Sequence, residues 1–445
     1  MKTIINNSVD KYRELILEAE RHIWKTPETG YKEYKTSAYM AEQFEALGYK
    51  LTYAEGITGF YTVIDTGREG PEVLVLGELD SVICPAHPDA DPVTGAVHSC
   101  GHNAQCAALL GIAAALTEKE LLDKLSGRIR LCAVPAEELL EIEYRTELKN
   151  KGIIKYFGGK SEFLYRGYFD DVDIVFMVHT GSSFNADEGA VGCIAKRVIY
   201  KGRAAHAGGS PHRGINALYA ANCGLNAINA IRETFRENDC MRVHPIVTHG
   251  GDMVNAIPET VVLESYVRGK TFDAIVRENK KINRALIGAA LSIGANIEII
   301  DNPGYAPLVN DPNMIDVARD GLALALPDEE FIYTGVYGTG STDMGDMSAV
   351  LPTIHPHGPG ARGRGHGNDY EICDPEGACV KSAKWQLGML CTILGDGAAR
   401  GKKIIDDFKP LFSTKEEFLA YQDSISCSGD RIVYKEDGNA DVRLV

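Results

Sequence analysis

Three short Val/Ile/Leu-rich runs constrain this chain more than any other feature: VLVLGELD ending at Asp80, IRLCAVPAEE ending at Glu138, and DIVFMVHT around His179. None alternates apolar with polar residues, the pattern of strands buried on both faces in a parallel sheet. The stretch AQCAALLGIAAALTEKELL after Asn103 reads as a helix between the first two, and the segment from Ser8 to Tyr49 reads as two surface helices. The alternation predicts an α/β fold with a mainly parallel sheet flanked by helices. Each run also ends in acid or imidazole side chains. Open α/β sheets bind ligands beyond the carboxyl ends of their strands, so Asp80, Glu137, Glu138 and His179 are expected to converge.

The pattern changes after Gly189. Residues 190–303 read as strand, helix, strand, strand, helix, strand, the βαββαβ order of a ferredoxin-like unit. The α/β pattern resumes with a helix near Asp311 to Ala325 and a last helix near Pro375 to Leu394. The expected division is a catalytic domain of residues 1–189 and 304–410, an inserted domain of residues 190–303, and a C-terminal extension of residues 411–445 without an assigned fold.

Charge and cysteine content narrow the function. Lys plus Arg number 46 against 62 Asp plus Glu, a net charge of −16 with no basic cluster, which argues against nucleic acid or an anionic membrane as partner. No apolar run approaches the length of a membrane span, and the N-terminus lacks a signal-peptide pattern, so the expectation is a cytoplasmic protein. The 11 cysteines lack the even spacing of a disulfide framework, and most are expected as buried thiols.

Cys100 needs a different explanation. HSCGHN (98–103) sets Cys100 and His102 two apart in a Gly-containing loop before a helix, where thiolate and imidazole can face one late divalent ion. A buried Cys beside a capping His would give the same spacing. Glu137 and Glu138 are adjacent carboxylates whose side chains diverge, so one can bind metal while the other reaches a bound water. A solvated Glu pair is the alternative, but an apolar strand and a Pro-Ala turn deliver this pair to the sheet's ligand-binding edge. IHPHGPGARGRGHGNDYEICDPEG offers His355, His357 and His366 among glycines, and its composition alone does not choose between them.

Together HSCGHN, PAEE, a strand-end His, an inserted βαββαβ unit containing GRAAHAGGSPHRGINAL, and the late Gly-rich His segment resemble the metal-dependent amidohydrolases. Within them the chain is similar to the aminoacylases, auxin-conjugate hydrolases, aminobenzoyl-glutamate hydrolase and β-alanyl-lysine-type dipeptidases. That resemblance implies a zinc-peptidase-like catalytic domain with an inserted lid and dimerisation domain. It further implies a pair of divalent ions, Mn or Zn, held by Cys100, His102, Glu138, His179 and His366, with Cys100 bridging. Glu137 matches the general base, and Asp80 an acid that orients a metal-binding histidine. His206 matches a histidine that stabilises the reacting carbonyl from the partner subunit of a homodimer, and Asn255 and Arg268 match positions near a small-molecule substrate. Asn103, GGK and GSTDMGD point to the aminobenzoyl-glutamate and dipeptidase branch. One departure stands out: LLEIEYRTELKNKGIIKYF follows the Glu pair where that branch has a glycine-rich stretch, and it is expected to shape substrate choice.

The implied reaction is hydrolysis of the amide bond of an N-acyl or aminoacyl amino acid. Two rivals share the same residues: hydrolytic release of ammonia from an activated aromatic amine, and a binding protein that has lost catalysis. Ammonia released without a carboxylic acid fragment would mark the first, and a complete ligand set with the base Glu137 argues against the second.

Overall fold

The computed structural model describes residues 1–444, which fall into two compact units. The first comprises Met1–Gly189, Leu308–Gly338 and Thr342–Lys415; the second comprises Ala190–Pro307, Thr339–Ser341 and the chain from Glu416 onward.

The first unit is built on a six-stranded sheet. Its strands are β1 (Thr52–Tyr53), β2 (Phe60–Asp65), β3 (Glu72–Glu78), β4 (Arg128–Val134), β5 (Ile174–Phe176) and β6 (Thr353–Ile354), in the order β1-β2-β4-β3-β5-β6. Strands β4, β3, β5 and β6 are mutually parallel, and the antiparallel pair β1 and β2 closes one edge. The three apolar runs are β3, β4 and β5. Every residue of β3 and β5 is buried, as is every residue of β4 except Arg128, which is why their sequences show no alternation. Helix His102–Leu116 is buried along its whole length between β3 and the helices Arg13–Trp24 and Ser382–Leu394, so it is apolar all round. The N-terminal segment forms three helices, Lys2–Asp10, Arg13–Trp24 and Tyr34–Ala46, where two were expected.

The second unit carries an antiparallel sheet in the order Arg242–Val243, Thr260–Gly269, Gly192–Lys201, Asn296–Tyr305, and Ile246–His249 also pairs with Thr260–Gly269. The single strand expected over MRVHPIVTH is split in two at His244 and Pro245, because proline has no N–H to give the ladder. Helices Ala217–Ile231 and Phe272–Ile293 pack on each other and on the sheet, capped by Asn216 on the Tyr219 N–H and by Thr271 on the Ala274 N–H. The C-terminal residues form a helix, Lys415–Ile425, and a hairpin of Ile432–Tyr434 with Ala440–Val442. Cys427 and Asp430 pair with Asp301 and Glu298, so this segment continues the second unit's sheet at its Asn296–Tyr305 edge. Among the described residues no helix is long and apolar enough to cross a membrane.

Candidate metal centre

The parallel strands β3, β4 and β5 end on one edge of the first unit's sheet, and the expected residues gather there. Gly101 sits between Cys100 and His102 with φ +89° and opens helix His102–Leu116. A Cβ at this position would stand 2.4 Å from the Tyr370 hydroxyl and 2.9 Å from Thr180, so only glycine lets the loop turn Cys100 inward. Cys100 Sγ lies 3.4 Å from His179 Nε2. Burial and Glu138 push its thiol up, but His179 and His102 outweigh them and hold it at about 6.

His102 is fixed from one side. Its Nδ1 lies 2.9 Å from the Asp80 carbonyl and 3.3 Å from Asp80 Oδ1, which leaves Nε2 facing the cluster. The other Asp80 oxygen accepts the Glu138 backbone N–H at 2.8 Å, so Asp80 orients the imidazole and holds the Glu137–Glu138 turn together. His366 reaches Glu138 Oε1 at 3.0 Å, its loop anchored by a bond from its backbone N–H to the Ser99 carbonyl at 2.8 Å. Hydrogen bonds to Cys100 and Glu138 push the His366 imidazole up to about 11. Burial disfavours the Glu138 carboxylate, but His366 outweighs it and holds Glu138 down at about 2. Glu137 is pushed the other way, well above the usual carboxylate range, by burial and by Glu78, Glu138 and Asp343. Adjacent carboxylates with opposite shifts are suited to different tasks.

Three sets of His, Cys and carboxylate donors lie within 4.8 Å of one another among the described residues: Cys100, His102 and His179; Cys100, Glu138 and His366; and Glu78, His102 and Glu137. Cys100 belongs to two of them, the position a bridging ligand occupies. Glu78 Oε2 and His102 Nε2 are buried and pair at 3.1 Å, and both residues belong to the third set. Thiolate, imidazole and carboxylate together fit zinc or a neighbouring divalent transition ion. Of the three late histidines, only His366 enters a set. His355 and His357 instead pack their rings 5.6 and 5.5 Å from that of His179, and His355 Nδ1 lies 3.1 Å from the Met177 carbonyl.

The sequence reading missed Glu78, Lys160 and Asp343. Lys160 is fully buried, with Nζ 2.5 Å from Glu78 Oε1 and also bonded to Asp343, whose second oxygen accepts the Lys160 backbone N–H at 2.9 Å. Glu78 stands two residues before Asp80 at the end of β3. The acid-x-acid spacing of GELD was the available signal, because residues two apart on an extended segment share a face.

His206, Asn255 and Arg268 all lie in the second unit. His206 bridges Ala256, the Asn255 carbonyl accepts the Ala207 N–H at 2.9 Å, and His206 Nδ1 accepts from Gly209 at 2.9 Å and Gly208 at 3.1 Å. His206 and Asn255 therefore sit on paired segments. Arg268 is at the far end of strand Thr260–Gly269, its guanidinium 5.0 Å from the Tyr266 ring and 3.3 Å from the Ser341 hydroxyl.

Comparison with known proteins places this geometry. Residues 74–390 match the model of peptidase family M20/M25/M40. The Xaa-Arg dipeptidase of Mus musculus is 27% identical over 358 residues, covering 78% of this chain and 77% of that protein. The N-acetyl-L-cysteine deacetylase of Bacillus subtilis strain 168 is 29% identical over 328 residues, 68% of this chain and 71% of that one. A solved Bacillus subtilis structure, a dinuclear metal-binding peptidase from the M20 family, has the same fold, with a TM-score of 0.63 at 18% identity over 86% of this chain and 99% of that one. The chain belongs to peptidase family M20/M25/M40 and is a hydrolase acting on C–N bonds.

Proposed function

We propose that the protein is a binuclear metal-dependent amidohydrolase that cleaves the amide bond of an N-acyl or aminoacyl amino acid. One observation carries the reading: Cys100 is common to two donor sets, Cys100/His102/His179 and Cys100/Glu138/His366, with Glu137 beside them. The relatives named for a dipeptidase and an N-acyl amino acid deacetylase support the substrate class.

In this reading Cys100, His102, Glu138, His179 and His366 would hold the two ions. When bound, such ions polarise the scissile carbonyl and acidify water. Glu137 takes the proton of the attacking water and returns it to the leaving amine, the work of a general base and then a general acid. Asp80 keeps the His102 ring in register. His206 donates to the developing oxyanion from the partner subunit of a homodimer, and Asn255 and Arg268 contact the substrate, the Arg268 guanidinium donating to the substrate's carboxylate. The thiolate favours zinc, and the resemblance equally admits manganese.

The test couples metal analysis of the purified protein to a mass-spectrometric screen of N-acyl amino acids, dipeptides and aryl amines. The expected result is about two ions per chain and a free amino acid with its acid partner. Ammonia without an acid fragment, or a metal-free active protein, would overturn the reading. Sharing of the site between subunits is tested by mixing inactive Glu137→Gln and His206→Ala proteins after subunit exchange. Action of His206 in trans restores roughly a quarter of wild-type activity, since half the random dimers carry one intact site. Action in cis restores none.

A further inference from the structure

The segment that departs from the family pattern contains a buried arginine directed back at the Glu137–Glu138 turn. Helix Ile142–Asn150 carries Arg145, which is 1% exposed. Its guanidinium donates to the carbonyls of Phe157 at 2.6 Å, Ala136 at 3.3 Å, and Glu138. Two of those acceptors flank Glu137. The N–H groups of the same turn are held by carboxylates: Ala136 N–H donates to Glu33 Oε1 and Glu138 N–H to Asp80 Oδ2, both at 2.8 Å.

Ala136 needs such restraint. Its φ of +59° lies in the left-handed region that a residue with a Cβ enters only when its surroundings impose it. Residues opposite the turn make room for the guanidinium. A Cβ on Gly30 would stand 2.4 Å from an Arg145 terminal nitrogen and 2.9 Å from Ala136 Cα, and the Tyr31 ring lies 5.6 Å from the guanidinium carbon. The start of the helix is tied to the same loop by Glu141, which bonds Thr29 and Lys32 at 2.6 Å.

We propose that Arg145 is a positioning residue that clamps the Glu137–Glu138 turn, so that one carboxylate faces the ions and the other the water. The proposal rests on the function proposed above. Adjacent residues can divide these tasks only if the peptides joining them hold one orientation, and a displacement of about 1 Å at reacting groups costs about 10²-fold in rate. A planar fork of donors on separate nitrogens spans carbonyls set apart from one another, which the donors of lysine on one nitrogen reach less well. The segment thus supplies a clamp on the catalytic pair, a role beyond the expected shaping of substrate choice.

The experiment uses full-length Arg145→Met and Arg145→Lys. Mn²⁺ affinity is measured by calorimetry on chelator-stripped protein, and kcat and KM with the N-acyl amino acid that the wild type hydrolyses fastest. Arg145→Met is expected to weaken Mn²⁺ binding by about 10- to 100-fold and to lower kcat at saturating Mn²⁺ by about 10²-fold, with KM nearly unchanged. Arg145→Lys should recover part of both. Wild-type Mn²⁺ affinity and kcat in a folded Arg145→Met overturn the proposal, as does a change confined to KM, which would make the segment a substrate wall. Loss of the native near-ultraviolet circular dichroism in both variants also overturns it, because Arg145 would then be a strut of the core. A wild-type protein that binds neither Mn²⁺ nor Zn²⁺ fails the functional reading itself and removes the basis of the clamp.

Discussion

Each unit buries one lysine against an aspartate, and the two networks end differently. In the second unit Lys196 bonds Asp301 Oδ1 and Asn283, while Asn279 and Asn283 donate to Asp301 Oδ2 at 2.8 and 3.0 Å. Both oxygens of Asp301 are occupied, and although Asn279 Oδ1 is left without a hydrogen bond, the network of these residues stays within one helix and two strands of its unit. In the first unit Lys160 bonds Glu78 and Asp343, but the other Glu78 oxygen pairs with His102 Nε2 at 3.1 Å, and the donor sets that contain Glu137, Cys100 and His179 follow. In the proposed reading the network around Asp301 is scaffold, and the one that opens onto the three donor sets is a site.

Removing the group at the centre of the open network breaks the comparison most severely. Cys100→Ala should lose bound metal and activity together, because one thiolate is common to two donor sets. Normal metal content with full activity would return Cys100 to the core thiols. Glu137→Gln sharpens the same point: metal content is retained while kcat falls by at least about 10²-fold, as for loss of a general base. If Glu138→Gln keeps the metal and Glu137→Gln loses it, the two glutamates have exchanged roles.

The lysines themselves form the next test. Lys196→Met leaves Asp301 buried without its cation and should cost about 3–5 kcal/mol of stability, read by denaturant unfolding, while kcat per folded molecule stays at the wild-type value. Lys160→Met should add to a similar loss a fall of roughly 10-fold or more in metal affinity or kcat, since it frees Glu78 beside His102. Equal behaviour of the two variants would erase the distinction between scaffold and site.

What could be read from the sequence follows the range of the interactions. The α/β alternation and the βαββαβ order are local patterns of burial, and Cys100 with His102 lies within one loop, so both were legible. His366 was chosen over His355 and His357 only through resemblance. Its approach to Glu138 spans far more chain than any spacing rule covers. Lys160 was invisible for the same reason: its partners Glu78 and Asp343 are 82 and 183 residues away. Arg145 was hidden differently. Arginine on a short helix ordinarily marks a solvated face, and nothing in LLEIEYRTELKN announces that three carbonyls wait beneath it. Pro245 was legible as a breaker but was read through.

The finest distinction between the two units is the sign of their response to pH, measured on metal-free protein. Glu33, which holds the Ala136 N–H, is pushed up to about 8 by burial and then by Asp80, against an ordinary value of 4.5. A carboxyl raised in the folded state stabilises the fold below its unfolded value, and that contribution is lost as pH rises from 4.5 through about 8. Asp343, raised to about 6, and Glu137 act in the same direction, as do the raised imidazoles of His102, His179 and His366 above pH 6.5, while Cys100, lowered to about 6, opposes them. Asp301 has the opposite sign: burial is outweighed by Lys196, its carboxyl is lowered, and its contribution is lost only as pH falls below 3.8. Between those limits, hydrogen exchange corrected for intrinsic rates should show peptides around Glu33 and Ala136 losing protection as pH rises, with peptides around Asp301 level. Glu33→Gln keeps the hydrogen-bonding shape, cannot ionise, and should flatten part of the slope. A slope unchanged by Glu33→Gln would assign it to Glu137, Asp343 and the raised imidazoles of His102, His179 and His366, and a matching decline around Asp301 would mean that the two units unfold as one and that the contrast is not local.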